Sequence, residues 1–175
     1  MILELRQRLY DAVSLRMQGD VPIGAYLSGG LDSAVIAGML ADIVKKKDKS
    51  SAPSLPGVTA PFQCFSVGFE EGTEFDEMRK SAQTDMKDKA LTQSMLAIAE
   101  RTAKHLGVPF VAQRCDEATL ADNFEAATVS FEHHNPDLNS VAKFVLSKLA
   151  ADHGVKVVLS GTPIICSILS LPSVF

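Results

Sequence analysis

The sequence has no tryptophan, and aromatic side chains make up only 6% of its 175 residues. It also lacks an excess of positive charge, because 17 lysines and arginines face 21 aspartates and glutamates, for a formal net charge of −4. Proteins that bind nucleic acids present basic surfaces to the phosphates, and those that bind single strands add stacking aromatic side chains. We therefore expect no nucleic-acid partner.

Long apolar runs are also missing. No stretch approaches the roughly 20 consecutive apolar residues of a membrane-spanning helix, and charges interrupt the apolar residues of segment 1–13, which is unlike a signal peptide. The three cysteines, Cys64, Cys115 and Cys166, are widely spaced and form no CxxC pair. This disfavours a disulfide framework or a zinc site. We expect a cytoplasmic protein with no membrane partner and with buried cysteines.

What the sequence does have is a regular alternation of strand and helix patterns. Hydrophobic residues make up 46% and charged residues 22%, as in an ordered globular domain. Apolar runs predict buried strands, and the segments between them have helical spacing, which indicates β-α-β units and a parallel sheet in an α/β fold. A lysine-rich and then serine- and proline-rich stretch, 45–61, predicts a flexible loop. We expect helices over 2–17, 32–44, 90–106, 116–131 and 141–151, and strands over 21–27, 62–69, 108–115 and 155–159.

The first predicted helix has a clear apolar stripe. Ile2, Leu5, Leu9 and Val13 form an apolar stripe at helical spacing, which predicts a helix with one apolar face. The second predicted strand is followed by an acidic stretch, residues 70–77.

The most informative feature is the segment Leu27-Ser28-Gly29-Gly30-Leu31-Asp32-Ser33, between a predicted strand and a predicted helix. Adjacent glycines let backbone N–H groups face a ligand, the serines add hydroxyl groups, and the helix start adds its positive dipole end. This combination predicts a cradle for phosphate groups, in which Asp32 either caps the helix or holds Mg²⁺. No lysine follows the glycines and G-x-G-x-x-G is absent, so neither a Walker A loop nor a dinucleotide fingerprint is present. The alternative is an ordinary glycine-rich turn.

This segment resembles the pyrophosphate-binding loop of the N-type ATP pyrophosphatases, and residues 16–27 before it resemble the asparagine synthetases. Segments 65–69, 75–77, 103–107 and 157–161 are similar to motifs that occur in that family in the same order, and 132–139 looks most like its fungal members. The resemblance covers residues 3–161. It implies an incomplete α/β three-layer sandwich with a parallel sheet, of the adenine nucleotide alpha-hydrolase type, which is Rossmann-like.

The resemblance also implies an ATP site and a reaction. The backbone at Leu27 and Val67 would frame the adenine, Ser160 and Gly161 would lie near the α-phosphate and ribose, and Asp32 would hold Mg²⁺. In the family, ATP activates aspartate as β-aspartyl-AMP, and ammonia then displaces AMP to give asparagine. The substrates implied are therefore ATP, aspartate and ammonia. The ATP-binding residues implied are Leu27, Ser28, Gly29, Gly30, Asp32, Ser33, Val67, Gly68, Ser160 and Gly161.

The chain departs from the family pattern at three places. Family members continue Glu-Gly-x-Asp-Glu after Ser-Gly, whereas Thr162 here replaces the first glutamate and the apolar tail 162–175 follows. Residues 79–97 look like an insertion, and we expect that the glutaminase domain with its N-terminal cysteine is absent. We expect a truncated domain, 1–161, that is catalytically impaired, has no confidently assigned catalytic residue, and depends on a separate glutaminase or on free ammonia. It could form a homo-oligomer.

Two other functions remain open at this stage. One is a related adenylating enzyme with a different substrate, such as a relative of the β-lactam-forming synthetases. The other is a non-catalytic remnant whose sheet edge and apolar tail favour self-association. Adjacent His133 and His134 do not share a helix face and predict no metal site, whereas Glu132 and Asp137 either line the pocket or form an exposed turn.

Overall fold

Strands and helices alternate along the chain as the sequence predicted. The computed structural model describes residues 2–18, 21–48, 62–69, 95–132 and 139–161. Within these residues the elements are, in chain order, α1 (Ile2–Arg16), β1 (Ile23–Tyr26), α2 (Leu31–Asp48), β2 (Gln63–Phe69), α3 (Met95–Leu106), β3 (Phe110–Cys115), α4 (Glu117–Phe131), α5 (Asn139–Asp152) and β4 (Val157–Leu159).

The four described strands form one parallel sheet in the order β3-β2-β1-β4. The register aligns Ala25 of β1 with Cys64 of β2 on one side and with Leu159 of β4 on the other. The chain therefore winds outward from β1 through β2 to β3, and then returns to the opposite side of β1. This confirms the predicted parallel α/β sheet.

Helices cover both faces of the sheet, which gives three layers. On one face, Ala25 of β1 and Leu27, the residue that follows β1, belong to a buried apolar cluster with residues of α1, α2 and α3. On the other face, Phe65 of β2 and Tyr26 of β1 pack with residues from the end of α5. The rest of that second face packs against α4 and the first half of α5. The three-layer sandwich is thus confirmed for the described residues.

The apolar stripe of α1 is only partly buried, which corrects a simple reading of its spacing. Val13 and, just beyond the helix, Met17 lie in the core, whereas Ile2 is 81% and Leu5 46% exposed. The reason is that the residues through which α1 joins the core with α2, namely Tyr10, Val13 and Met17, lie in its second half or just beyond it. The helix itself is present as predicted.

Helix α2 is longer than predicted and takes in the first residues of the expected loop 45–61. Lys45 Nζ donates to the backbone oxygen of Leu106, 2.9 Å away at the end of α3, and Lys46 pairs with Asp42 one turn back at 2.8 Å. Lysines near a helix C-terminus also favour the dipole, so the charge run extends the helix instead of ending it. Residues 49–61 lie outside the described residues.

Other boundaries shift by a few residues. Strands β3 and β4 begin two residues later than predicted, and α3 begins at Met95, so its first three residues fall within the segment 79–97 that looked like an insertion. Residues 79–94 lie outside the described residues, and the insertion itself stays a prediction. Among the residues that are described, no helix is both long and apolar enough to cross a membrane.

Two cysteines are buried, as expected, and Cys166 lies outside the described residues. Cys64 and Cys115 are both fully buried and free. Burial raises the pKa of the Cys64 thiol from 9.0 to about 12, and burial also raises the pKa of the Cys115 thiol. Both thiols therefore stay protonated in the folded chain at neutral pH.

Because the pKa of the buried Cys64 thiol is raised, the free energy of unfolding should fall at alkaline pH. Above pH 9.0 the unfolded chain loses the Cys64 proton while the folded chain keeps it until about pH 12. Stability from this thiol should therefore fall by about 1.4 kcal/mol per pH unit in that window. The measurement is urea unfolding from pH 8 to pH 11 for the unsubstituted chain and for Cys64→Ala, whose curve should fall less steeply. Parallel curves would contradict the prediction.

Candidate functional site

The sheet order places two loops side by side at the carboxyl ends of β1 and β4. In open parallel sheets, ligands bind where the winding direction reverses, outside the carboxyl ends of the two strands concerned. Here the reversal lies between β1 and β4. The loop Ser28–Ser33 follows β1, and Ser160 and Gly161 follow β4. The two separate sequence segments predicted to hold phosphates and ribose therefore meet at one edge of the sheet.

The loop leads directly into the N-terminus of α2. The amide of Ala34 donates to the oxygen of Gly30 at 3.2 Å, which is the first hydrogen bond of the helix. The N–H groups of residues 31–33 therefore have no acceptor within the helix. Together with the helix dipole, such groups favour an anion at this position.

Gly161 brings the end of β4 against the first turn of α2. A Cβ at this residue would lie 2.5 Å from the amide nitrogen of Ser33, 2.6 Å from the carbonyl carbon of Asp32 and 2.8 Å from Ser33 Cα. All three are backbone atoms, which cannot rotate away as the end of a side chain does. Only glycine fits this contact without moving β4 or α2.

Gly29 plays a similar part on the other side of the loop. Its φ of +82° lies in the left-handed region, which favours glycine. A Cβ there would also collide with the carbonyl oxygen of Met95 and lie 3.4 Å from Ile98 Cβ, in the first turn of α3. The loop is thus held between α3 on one side and the end of β4 on the other.

The predicted adenine side is formed by two neighbouring strands. The Leu27 amide donates to the oxygen of Phe65 at 2.9 Å, which continues the β1–β2 pairing to the start of the loop. Val67 and Gly68 lie in the last three residues of β2, and a Cβ on Gly68 would lie 3.0 Å from Leu96 Cδ2. The structure therefore brings Leu27, Val67 and Gly68 to the same edge as the loop.

Sequence reasoning missed the contribution of α3. A Cβ on Gly29 would meet Met95 and Ile98, and a Cβ on Gly68 would meet Leu96, so the first turn of α3 borders the site. These residues carry no motif, and Met95 and Leu96 lie in the segment predicted to be an insertion. The sequence contained one signal for this contact, which is that Gly29 and Gly68 have no side chains and so allow another segment to pack closely. It did not reveal which segment that would be.

Asp32 is the second residue of α2, so it lies inside the first turn and not at the N-cap. One of its two proposed roles, capping, is therefore wrong, because a cap must precede the first helical residue. The donor set fits the other role, since Mg²⁺ is commonly bound by one or two carboxylates together with substrate phosphates. The described residues contain no group of three or more side chains that would hold a metal without the phosphates.

A known protein family matches the part of the chain that contains this sheet and this site. The sequence model of the asparagine synthase family matches residues 4–162, which include the loop after β1 and the Ser-Gly pair after β4. The chain belongs to the asparagine synthase family.

Its relatives in this family carry two kinds of name. Amidase chyE of Penicillium rubens is 37% identical over 157 residues, and amidase chry2 of Gibberella zeae is 35% identical over 159, each match covering 90% of this chain. Asparagine synthetase 1 of Bacillus subtilis, a glutamine-hydrolysing enzyme by its name, is 27% identical over 161 residues, or 92% of this chain. In each case the match covers only about a fifth of the relative.

Of the other residues singled out in the sequence, Glu132 alone lies in the described part of the chain. Thr162 with the tail 162–175, the histidine pair and Asp137 all lie outside the described residues. Glu132 ends α4 as an exposed residue with φ 55°, and its amide donates to Thr128 and Val129 oxygens at 3.1 and 3.3 Å. It thus forms an exposed turn, one of the two predicted alternatives.

Proposed function

We propose that this chain binds ATP as its magnesium complex at the carboxyl ends of β1 and β4, and that it is the ATP-binding part of a longer amide-forming enzyme. The observation that supports this most strongly is the meeting of the loop Ser28–Ser33 with Gly161. Two segments more than 120 residues apart in the chain form one cradle at the N-terminus of α2.

In this proposal the phosphates lie at the start of α2. The N–H groups of the first turn and the Ser28 hydroxyl group donate to the leaving pyrophosphate. Asp32 holds Mg²⁺, which supplies positive charge that stabilises the negative charge developing on the phosphates. The adenine lies against the backbone at Leu27 and Val67, and Ser160 lies near the α-phosphate.

The reaction proposed for the longer enzyme is adenylation followed by amide formation. A carboxylate oxygen of the substrate attacks the α-phosphorus, the bond to the pyrophosphate breaks, and an acyl-AMP forms. Ammonia then attacks the acyl carbon, and AMP leaves with the bonding electron pair. Aspartate is the substrate suggested by the relatives named asparagine synthetases.

This chain alone should turn over slowly or not at all. Where the family pattern has a glutamate after Ser-Gly and a further acidic residue beyond it, the chain has Thr162 and then apolar residues. Loss of a carboxylate that shares a phosphate-bound metal weakens the stabilisation of the leaving group. Nucleotide binding without appreciable pyrophosphate release is therefore the expected behaviour.

Thermal unfolding with ATP and Mg²⁺ tests the proposal. ATP at about a hundred times its Kd should stabilise the fold by about 2.7 kcal/mol and raise the Tm by about 5–10 °C. Asp32→Asn should lose the part of this shift that depends on Mg²⁺. Asp42→Asn is the matched control, because Asp42 lies on the same helix, ten residues further on, where it pairs with Lys46. An unchanged Tm with ATP, or an equal loss in both variants, would contradict the proposal.

A second candidate, amide hydrolysis, is suggested by the relatives named amidases. It would release ammonia from an amide without ATP. Cys64 and Cys115 cannot supply a nucleophile for it, because both are fully buried and burial raises their thiol pKa values. Ammonia release that is independent of ATP would support this candidate over the first.

A further inference from the structure

The loop Ser28–Ser33 is held closed by a set of hydrogen bonds centred on one side chain. Ser33 is only 6% exposed, and its hydroxyl oxygen lies 3.0 Å from the Gly30 oxygen, 3.2 Å from the Ser28 amide nitrogen and 3.0 Å from the Ser28 hydroxyl oxygen. It therefore connects the start of the loop, its middle and the first turn of α2.

The donors in this set can be assigned by counting protons. A carbonyl oxygen only accepts, so the Ser33 hydroxyl proton goes to Gly30. The Ser33 oxygen then accepts from the Ser28 amide, and the Ser28 hydroxyl must donate the remaining proton to it. A hydroxyl group has one proton and two lone pairs. All three are used at Ser33, and none is left for a ligand.

Ser28 differs from Ser33 in this respect. Ser28 is exposed, and its hydroxyl oxygen also lies 3.4 Å from the Gly30 amide nitrogen, a long contact. Its hydroxyl proton can turn from Ser33 to a phosphate by rotation about one bond, without opening the loop. Turning the Ser33 proton in the same way would break the bond to Gly30 that holds the loop at the helix start.

We propose that Ser33 is a positioning residue: through its bonds to Gly30 and to the Ser28 amide it holds the loop closed, and so keeps Ser28 in place for a phosphate group, but it does not bind the phosphate itself. This inference rests on the proposed phosphate-binding function and divides the roles of the two serines within it. It differs from the sequence-based expectation that both hydroxyl groups bind the ligand.

A double-mutant cycle on pyrophosphate binding tests this division, with titration calorimetry as the measurement. Ser33→Ala should weaken binding about tenfold in the unsubstituted chain, because the loop loses three hydrogen bonds. In the Ser28→Ala background the same change should weaken binding less than about threefold, since the group that Ser33 positions is then gone. Equal factors in the two backgrounds would show that the hydroxyl groups act independently, and would overturn the proposal.

Hydrogen exchange without any ligand supplies the second measurement. Ser33→Ala should speed amide exchange of the peptide that contains residues 28–33, because the Ser28 amide loses its acceptor. A group that only binds a ligand would leave exchange in the free chain unchanged, so an unchanged rate would also overturn the proposal. Ser66→Ala is the matched control, since Ser66 is a serine of β2 with a similar 4% exposure.

Three outcomes distinguish the positioning role of Ser33 from a role in folding alone and from failure of the proposed function. A Ser33→Ala chain that has a lower Tm but an unchanged pyrophosphate affinity would mean that Ser33 contributes only to folding, and would overturn the positioning role. If the unsubstituted chain does not bind pyrophosphate, the proposed function fails, and the positioning role fails with it. If it binds pyrophosphate and the exchange and affinity results are negative, the function stands and only the role of Ser33 is overturned.

Discussion

Gly161→Ala is expected to weaken pyrophosphate and ATP binding at least tenfold and to destabilise the fold by about 1–3 kcal/mol. The added Cβ would stand 2.5–2.8 Å from three backbone atoms of Asp32 and Ser33. Either β4 must move away from the loop, or the first turn of α2 must move away from the end of β4. Both movements displace the N–H groups to which the phosphates are proposed to bind.

Gly38→Ala is the control that separates this contact from a general effect of replacing glycine. Gly38 lies in the middle of α2, and a Cβ there would meet only Leu106 Cδ2, at an ordinary 3.9 Å. Because glycine in a helix interior is less favourable than alanine, we expect this change to raise stability by about 0.5–1 kcal/mol and to leave binding unchanged. Titration calorimetry and urea unfolding measure the two effects. Wild-type affinity in Gly161→Ala would show that the close contact does not shape the phosphate site.

The sequence was sufficient for the alternation of strands and helices and for the loop after β1. Buried parallel strands are apolar on both faces, and this pattern is local, so segments 62–69 and 108–115 were recognised within two residues. The motif of Ser28–Ser33 is local as well. Its place in the fold was inferred from the general rule for parallel sheets, and the observed strand order agrees with that rule.

What the sequence could not supply were contacts between distant segments. The burial of α1 depends on which of its residues meet the rest of the core, so an apolar stripe did not reveal that Ile2 and Leu5 would be exposed. The contact of Met95 with Gly29 joins residues far apart in the chain and has no motif. The use of the Ser33 hydroxyl within the loop depends on distances of a few tenths of an ångström, which residue types alone do not determine.

Gly29→Ala is expected to combine two penalties and to be the most damaging single change in the loop. The left-handed conformation costs an alanine about 1–2 kcal/mol, and the new Cβ would collide with the carbonyl oxygen of Met95 at the start of α3. A backbone oxygen cannot be moved without moving α3, so the loop should change its conformation instead. We expect a lower Tm and a loss of pyrophosphate binding of at least tenfold.

Gly107→Ala isolates the first of these penalties. Gly107 has a similar φ of +71°, but a Cβ there would have no neighbour within 4 Å, and the residue follows α3 at the opposite end from the loop. It should therefore show only the conformational loss of stability and bind pyrophosphate normally. The difference in unfolding free energy between the two variants measures the collision with α3. If both variants lose the same stability, Met95 does not restrict the loop. If Gly29→Ala also binds pyrophosphate normally, the loop is not the phosphate site, because a loop forced out of this conformation could not hold the phosphate groups.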